Sequence, residues 1–263
     1  MCGIAGYSLS SDSRVPRTLA AQALLAAIAE RGADAVGYAW RGAASDVSVF
    51  KQRSAASALL DQIEVPIEAT QVLIHVRDYT KGHPRIAGNN HPIRHGSVVG
   101  VHNGIIVNDE ELLARHGFVR AEPEMTVDSE AIFALAEASP GRAEPFEELR
   151  GTMATAWLDE RRADTLYLAR AVGRPLWLGR GKHEAFFAST REALEVLERY
   201  MRMTLTKREI DEGSLVVLQS GRVTGTQRFT PDRSYKEEPL PAVRAAHEGD
   251  FCLKRLAALA SAA

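Results

Sequence analysis

Apolar positions along the chain fall into two patterns, helical and strand-like. Leu19 to Glu30 (LAAQALLAAIAE) is rich in Ala and Leu, which favour helix, and Gly32 just beyond it predicts the stop. Asp109 to His116 predicts a second helix, with Asn108 as N-cap, Glu111 at the capping-box position and Gly117 just past the end. Ser129 to Ala138 and Glu192 to Tyr200 read as two more, and the Ala-rich stretch from Pro239 to Ala263 is expected to end in another. The other apolar runs have strand length. Cys2 to Leu9 reads as a strand starting at the terminus, and Val36–Trp40 with Val47–Lys51 as a hairpin around a Gly-containing loop. Val72–Val76 and Val98–His102 are β-branched runs. Met153–Leu158, Leu166–Ala169, Leu176–Leu178, Ala185–Ala188, Leu215–Leu218 and Arg222–Phe229 follow. Many strands, few but long helices and no steady β-α-β alternation predict a layered α+β fold.

Composition narrows the classes. The chain has 263 residues, 45% apolar and 25% charged, enough to bury a sizeable core. No repeat or linker divides it, and the expected organisation is one domain over 2–230 with a helical extension, 231–263, packed on it. A net charge of −2 gives no electrostatic case for nucleic acid. No window approaches the ~20 apolar residues of a membrane helix, and the first residues lack the pattern of a signal peptide. The two cysteines, Cys2 and Cys252, give neither a disulfide framework nor a zinc spacing, so a cytoplasmic protein is expected. Histidines at 75, 83, 91, 95 and 102 are dense but lack helical i, i+4 pairing, and no metal or cofactor is expected.

Cys2 carries the chemical interest. A buried free cysteine is ordinarily a small hydrophobe. At position 2, however, it becomes the first residue when Met1 is trimmed, as is favoured before a small side chain. Its α-amine, with an ordinary pKa of about 7.7–8.0, then lies within a water's reach of its own thiol. One residue would supply both nucleophile and general base.

Four further segments fall in an order that makes a family. Cys2-Gly3-Ile4-Ala5-Gly6, Arg31-Gly32-Ala33-Asp34-Ala35-Val36-Gly37, His75-Val76-Arg77, His102-Asn103-Gly104 and Thr126-Val127-Asp128-Ser129-Glu130 resemble the successive motifs of class II glutamine amidotransferase domains, which are N-terminal nucleophile hydrolases. The resemblance covers about Cys2 to Leu218. It implies a four-layer αββα sandwich and hydrolysis of L-glutamine to L-glutamate and ammonia.

It also implies roles. Cys2 attacks the amide carbon. Asn103 and Gly104 form an oxyanion hole, although Asn-Gly is also a common tight turn. Arg77 offers a planar fork for the α-carboxylate, and Asp128 a countercharge for the α-ammonium, though Asp128 also fits a helix N-cap. Thr80 stands where related domains place a threonine near the carboxylate. Arg31 steadies the nucleophile's loop or satisfies the last carbonyls of a helix, and His102, like His75, reads as a supporting core residue rather than a base. Asn89-Asn90-His91-Pro92 is expected to be a structural loop. Two features depart from the family. Asp78, followed by Tyr79, stands where some members have an aromatic cap after the arginine. No acceptor domain is visible, so the ammonia is expected to pass to a synthase on a separate polypeptide. A glutamine-binding regulatory module and another amide hydrolase of the same fold are the alternatives.

Overall fold

The computed structural model describes residues 1–42, 44–237 and 241–262. The chain begins with β1 (Gly3–Leu9), α1 (Arg17–Ile28), β2 (Ala35–Arg41), β3 (Val47–Gln52), α2 (Ala56–Leu59) and β4 (Gln71–Arg77). It continues through β5 (Ile93–His95), β6 (Val98–Ile106), α3 (Asp109–His116), α4 (Glu130–Ala138), β7 (Gly151–Asp159) and β8 (Thr165–Arg170). The last elements are β9 (Trp177–Arg180), β10 (Glu184–Ala188), α5 (Arg191–Met201), β11 (Thr206–Glu209), β12 (Ser214–Gln219), β13 (Arg222–Arg228) and α6 (Ala246–Ala262). A seven-stranded sheet has the order β11-β9-β10-β1-β4-β2-β3, and a six-stranded sheet the order β13-β12-β8-β7-β6-β5.

Successive strand residues point to opposite faces, so the apolar clusters show which layer each face meets. In β4, Val72, Ile74 and Val76 pack with Leu24, Leu25 and Ile28 of α1 and Leu194 and Leu197 of α5. Leu73, on the other face, joins Ile4, Val99, Val101, Ala154 and Ala156 between the sheets. In β6 the same alternation sends Val98 and Ile106 toward Ile132 and Phe133 of α4. Helices therefore cover both outer faces and the two sheets pack on each other, which is the expected αββα sandwich. α6 adds Cys252 and Leu256 to the α1 cluster, while Phe251 stays exposed. Its approach is pinned where the Arg244 and Ala245 N–H groups donate to Glu30 O.

Several local expectations change in the fold. β6 runs on through Asn103 and Gly104, paired with Ala154 and Met153 of β7, so Asn-Gly lies inside a strand and makes no turn. Asn108 precedes α3 but does not cap it with its side chain, which accepts from Arg150 N and donates to Glu148 O, both at 2.9 Å. Glu111 pairs with Arg115 and Arg150 rather than closing a capping box. Gly117 ends that helix with a φ of 66°, as a left-handed C-cap should. The short β5, β11 and α2 carry little pattern of their own.

Candidate functional site

The alternation that builds the sandwich also aims the candidate residues. Ile4 faces the other sheet, so Cys2, two residues before it, is on the same face. Leu73 does likewise, which puts His75 and Arg77 there, and Val99 and Val101 do so for Asn103. Ile4 pairs with His75 in the β1–β4 register, leaving Cys2 beside the end of β4. The His75 Nε2–H donates to His102 O at 3.0 Å and ties β4 to β6 across the two sheets. Cys2, Arg77 and Asn103 thus converge from facing sheets. His102 points the opposite way, into the helix layer, where Nδ1 lies 2.8 Å from Ser129 Oγ and Nε2 3.3 Å from Thr152 O.

On the seven-stranded side the backbone is held tightly. The Cys2 thiol donates to Asp78 O at 3.4 Å, and Cys2 O accepts from Arg31 Nε at 2.9 Å. A Cβ at Gly32 would sit 2.4 Å from Arg77 O, so only glycine lets this loop lie against the end of β4. Asp34 completes the clamp, its N–H donating to Arg77 O and its Oδ2 accepting from Tyr79 N, both at 2.9 Å. Burial pushes the Cys2 thiol pKa up, while the hydrogen bond to Asp78 and the positive charge of Arg77 pull it down.

Arg77 is buried, and three of its five donors are engaged: one on Nη1 with Asn90 Oδ1 at 2.7 Å, and Nη2 with Lys81 O at 2.9 Å and with Gly82 O. Asn90 is fixed by donating to Pro84 O at 2.8 Å, and Asn89 Oδ1 accepts from Thr126 and Val127 N at 2.8 and 3.0 Å. The Asn89–Asn90 pair therefore braces Arg77 against the segment leading to Asp128. The Asn89-Asn90-His91-Pro92 stretch, expected to be a structural loop, thus also holds the arginine, a role for which the sequence carries no local signal.

The six-stranded side holds groups under less favourable conditions. The Asn103 side chain is 1% exposed, and its Nδ2 has no hydrogen-bond partner among the described residues. Gly104 has a φ of 150°, and a Cβ there would lie 1.9 Å from Thr152 O, so this position admits glycine alone. Asp128 is buried and accepts from Ile106 N at 2.6 Å. Ser129, not Asp128, is the N-cap of α4. Burial pushes the Asp128 carboxyl up to about 6 in spite of the Ile106 hydrogen bond, and nearby Asp109 adds to the rise. Thr80 is exposed, and none of the hydrogen bonds that build the site reaches it among the described residues.

The histidines form no metal cluster: no group of three or more His, Cys, Asp or Glu is placed to hold an ion among the described residues. His91 stacks on His75 with ring centroids 4.2 Å apart. Burial pushes His75 and His102 down to about 3 and His91 well below its usual value, so all three are neutral at pH 7. Two half-buried contacts have no signal in the sequence. The Met1 α-ammonium pairs with Asp78 Oδ2 at 2.5 Å, and Arg174 Nη2 with Glu237 Oε1 at 2.5 Å, Glu237 also meeting Thr152 Oγ1 at 3.3 Å. In the sequence Asp78 is only a departure from a family pattern, and nothing local pairs Arg174 with a residue so distant. A cleft of about 880 Å³ beside β3, lined by Tyr38, Trp40, Phe50 and Lys51 among others, contains none of the candidate residues. No helix among the described residues is long and apolar enough to cross a membrane.

Residues 82–196 match the model of a glutamine amidotransferase domain. The chain is 28% identical over 239 residues to the glutamine–fructose-6-phosphate aminotransferase (isomerizing) of Shouchella clausii, covering 85% of this chain and 36% of that one. It is 33% identical over 211 residues to the enzyme of the same name from Escherichia coli O6:H1, covering 74% and 32%. The chain thus spans about a third of the length of these curated relatives. Among solved structures, the glutamine phosphoribosylpyrophosphate amidotransferase of B. subtilis, complexed with ADP and GMP, superposes with a TM-score of 0.67 at 18% identity, over 86% of this chain and 49% of that one. That likeness bears on the fold, and the αββα layering agrees with it. Sequence, family model and architecture meet in one assignment: the chain carries a glutamine amidotransferase domain of class II, the N-terminal nucleophile type.

Proposed function

We propose that the chain hydrolyses L-glutamine to L-glutamate and ammonia with Cys2, freed by removal of Met1, as the nucleophile. The observation that carries this reading is the convergence of the Cys2 thiol, the Arg77 guanidinium and the unpartnered Asn103 amide from facing sheets. A buried amide donor without a partner is costly, by about 1–3 kcal/mol, and is best explained by a ligand that supplies the acceptor. The tetrahedral oxyanion is that acceptor. The Cys2 amine takes the thiol proton, the sulfur attacks the amide carbon, and Asn103 with Gly104 holds the oxygen as it becomes charged. The amine then protonates the departing ammonia, and water hydrolyses the thioester. The remaining donors of Arg77 grip the α-carboxylate, and Asp128 takes the α-ammonium. The exposed Thr80, and Arg31 behind Cys2, complete the site.

Residues 2–230 form the glutaminase unit and 231–263 an extension of it. The released ammonia goes to a synthase on a separate polypeptide. The test is incubation of protein that begins at Cys2, verified by intact mass, with glutamine, measuring glutamate and ammonia. Release of both supports hydrolysis. A second reading, a glutamine-binding module without turnover, is favoured by the engagement of Arg77 with Asn90, Lys81 and Gly82. Glutamine binding by calorimetry without glutamate release would select it.

A further inference from the structure

Asp78 touches the thiol on which the proposed chemistry depends and the α-ammonium of Met1, the residue whose removal frees the Cys2 amine. Its main-chain oxygen meets the Cys2 thiol at 3.4 Å, and its carboxylate meets the chain's α-ammonium, carried by Met1, at 2.5 Å. The residue is not free to drift, because the Gly32 backbone lies against the Arg77–Asp78 peptide and Asp34 bonds to Arg77 O and Tyr79 N on either side of it. From outside, Arg244, in the approach to α6, places Nε 3.2 Å from the same carboxylate oxygen that meets the amine.

The charges around the start of the chain make the consequence definite. Arg77 faces Cys2 from β4, Arg31 faces it from the turn after α1, and Arg244 stands behind Asp78. Asp34 and Tyr79 flank Asp78 through the Asp34 carboxylate bond, and Glu30 lies next to Arg31. An α-ammonium moved onto Cys2 enters a place dominated by arginines, where its proton is expelled early unless an anion offsets them. Asp78 is the carboxylate in contact with the terminal amine.

We propose that Asp78 is a positioning residue for the nucleophile's own amine: once Met1 is gone, its carboxylate holds the Cys2 α-ammonium beside the thiol, and Arg244 tempers its charge. The inference rests on Cys2 acting as the N-terminal nucleophile. It gives a purpose to an aspartate standing where some members of the family have an aromatic cap. The pair of Cys2 amine and thiol titrates as a unit, and both of its members respond to these charges with the same sign. Asp78→Asn removes an anion, so the pair loses its proton more readily and the acid limb of its pH profile moves down by about one unit. Arg244→Gln removes a cation, and the limb moves up by a smaller amount. Both side chains reach solvent, which makes either exchange compatible with folding.

The experiment uses protein shown by mass to begin at Cys2 and reads two profiles against pH. One is alkylation of Cys2 by iodoacetamide, followed on its own peptide, and the other is kcat/KM for glutamine. Opposite displacements in the two variants, in the alkylation profile, establish the role. Limbs that stay put in Asp78→Asn, or that move the same way in both variants, overturn it, since a merely structural role has no reason to reverse sign with charge. The alkylation readout separates this inference from the hydrolytic one. Displaced alkylation limbs without glutamate release leave Asp78 in its role and remove the hydrolysis, whereas glutamate release with undisplaced limbs does the reverse.

Discussion

The two walls of the candidate site are built to different standards. The wall from the seven-stranded sheet is the more settled: Arg77 is engaged by Asn90, Lys81 and Gly82, Arg31 holds Cys2 O through Nε, and glycine and aspartate clamp the backbone between them, although Arg31 Nη2 and His75 Nδ1 are buried without a partner among the described residues. The wall from the six-stranded sheet is left in debt, with a buried Asn103 amide lacking a partner, a backbone at Gly104 that only glycine tolerates, and an Asp128 carboxyl whose charge burial opposes. Satisfied groups position, whereas unsatisfied buried groups are held in readiness for something that arrives, which is the usual trade of stability for function. Substitutions on the two walls are therefore expected to differ in kind. On the settled wall they cost stability, and on the other they cost turnover.

Cys2→Ala has the largest expected effect. It removes the nucleophile and, from the structure, only the weak contact with Asp78 O. Glutamate release falls by about four orders of magnitude or more, to background, and thermal denaturation stays nearly where it was. Turnover retained in this variant would remove the thiol from the mechanism. Asn103→Ala comes next, with kcat reduced by about 10²–10³ at nearly constant KM. Because the Asn103 Nδ2 bonds to nothing among the described residues, its loss leaves the melting temperature unchanged or slightly raised. A marked fall in melting temperature would place Asn103 on the settled wall after all.

Arg77→Ala tests the contrast from the other side. It deletes a buried guanidinium and strands Asn90 Oδ1 and the Lys81 and Gly82 carbonyls, so the fold loses about 3 kcal/mol, read by urea denaturation, while KM for glutamine rises. A raised KM with undiminished stability would show that the bonds to the loop contribute little.

What the sequence disclosed follows the same division. The layered fold was legible because apolar, β-branched runs of strand length such as Val72–Val76 and the Ala/Leu block of α1 are strong local signals. The candidate site was legible as an ordered set of short segments, and the alternation of β1, β4 and β6 is what brings Cys2, Arg77 and Asn103 together. The sequence did not disclose how polar side chains choose distant partners. Asn108 has the right local neighbours for a cap, yet Glu148 and Arg150, some 40 residues on, take its side chain. Asp128 bonds back to Ile106, Ser129 at the N-cap position of α4 gives its hydroxyl to His102 rather than to the helix, and Arg77 finds Asn90. Such choices depend on which strands lie side by side, and β5 and β11 exist for the same reason.

The smallest effect is a dependence on pH, and its sign is fixed by Asp128. In the native protein the carboxyl has a pKa of about 6, against an ordinary 3.8, so between those values the folded state binds more protons than the unfolded one. Stability from this group is therefore complete below about pH 4 and is lost as the pH rises through 6, by about 3 kcal/mol in all. The buried histidines act in the opposite sense. His75 and His102, held near 3 against an ordinary 6.5, stabilise the fold above pH 6.5 and withdraw that support as the pH falls. The wild-type profile mixes the two, but Asp128→Asn removes only the first. Whatever constant offset the amide introduces, the stability of the variant relative to wild type should climb from pH 4 to pH 7 and then level off, as followed by urea denaturation at fixed ionic strength. Glutamine binding should weaken in wild type below pH 6, where the countercharge for the substrate ammonium is lost, and be weak at every pH in the variant. A relative stability flat across that range would mean that Asp128 stays ionised at little cost, and the six-stranded wall would then be as settled as the one it faces.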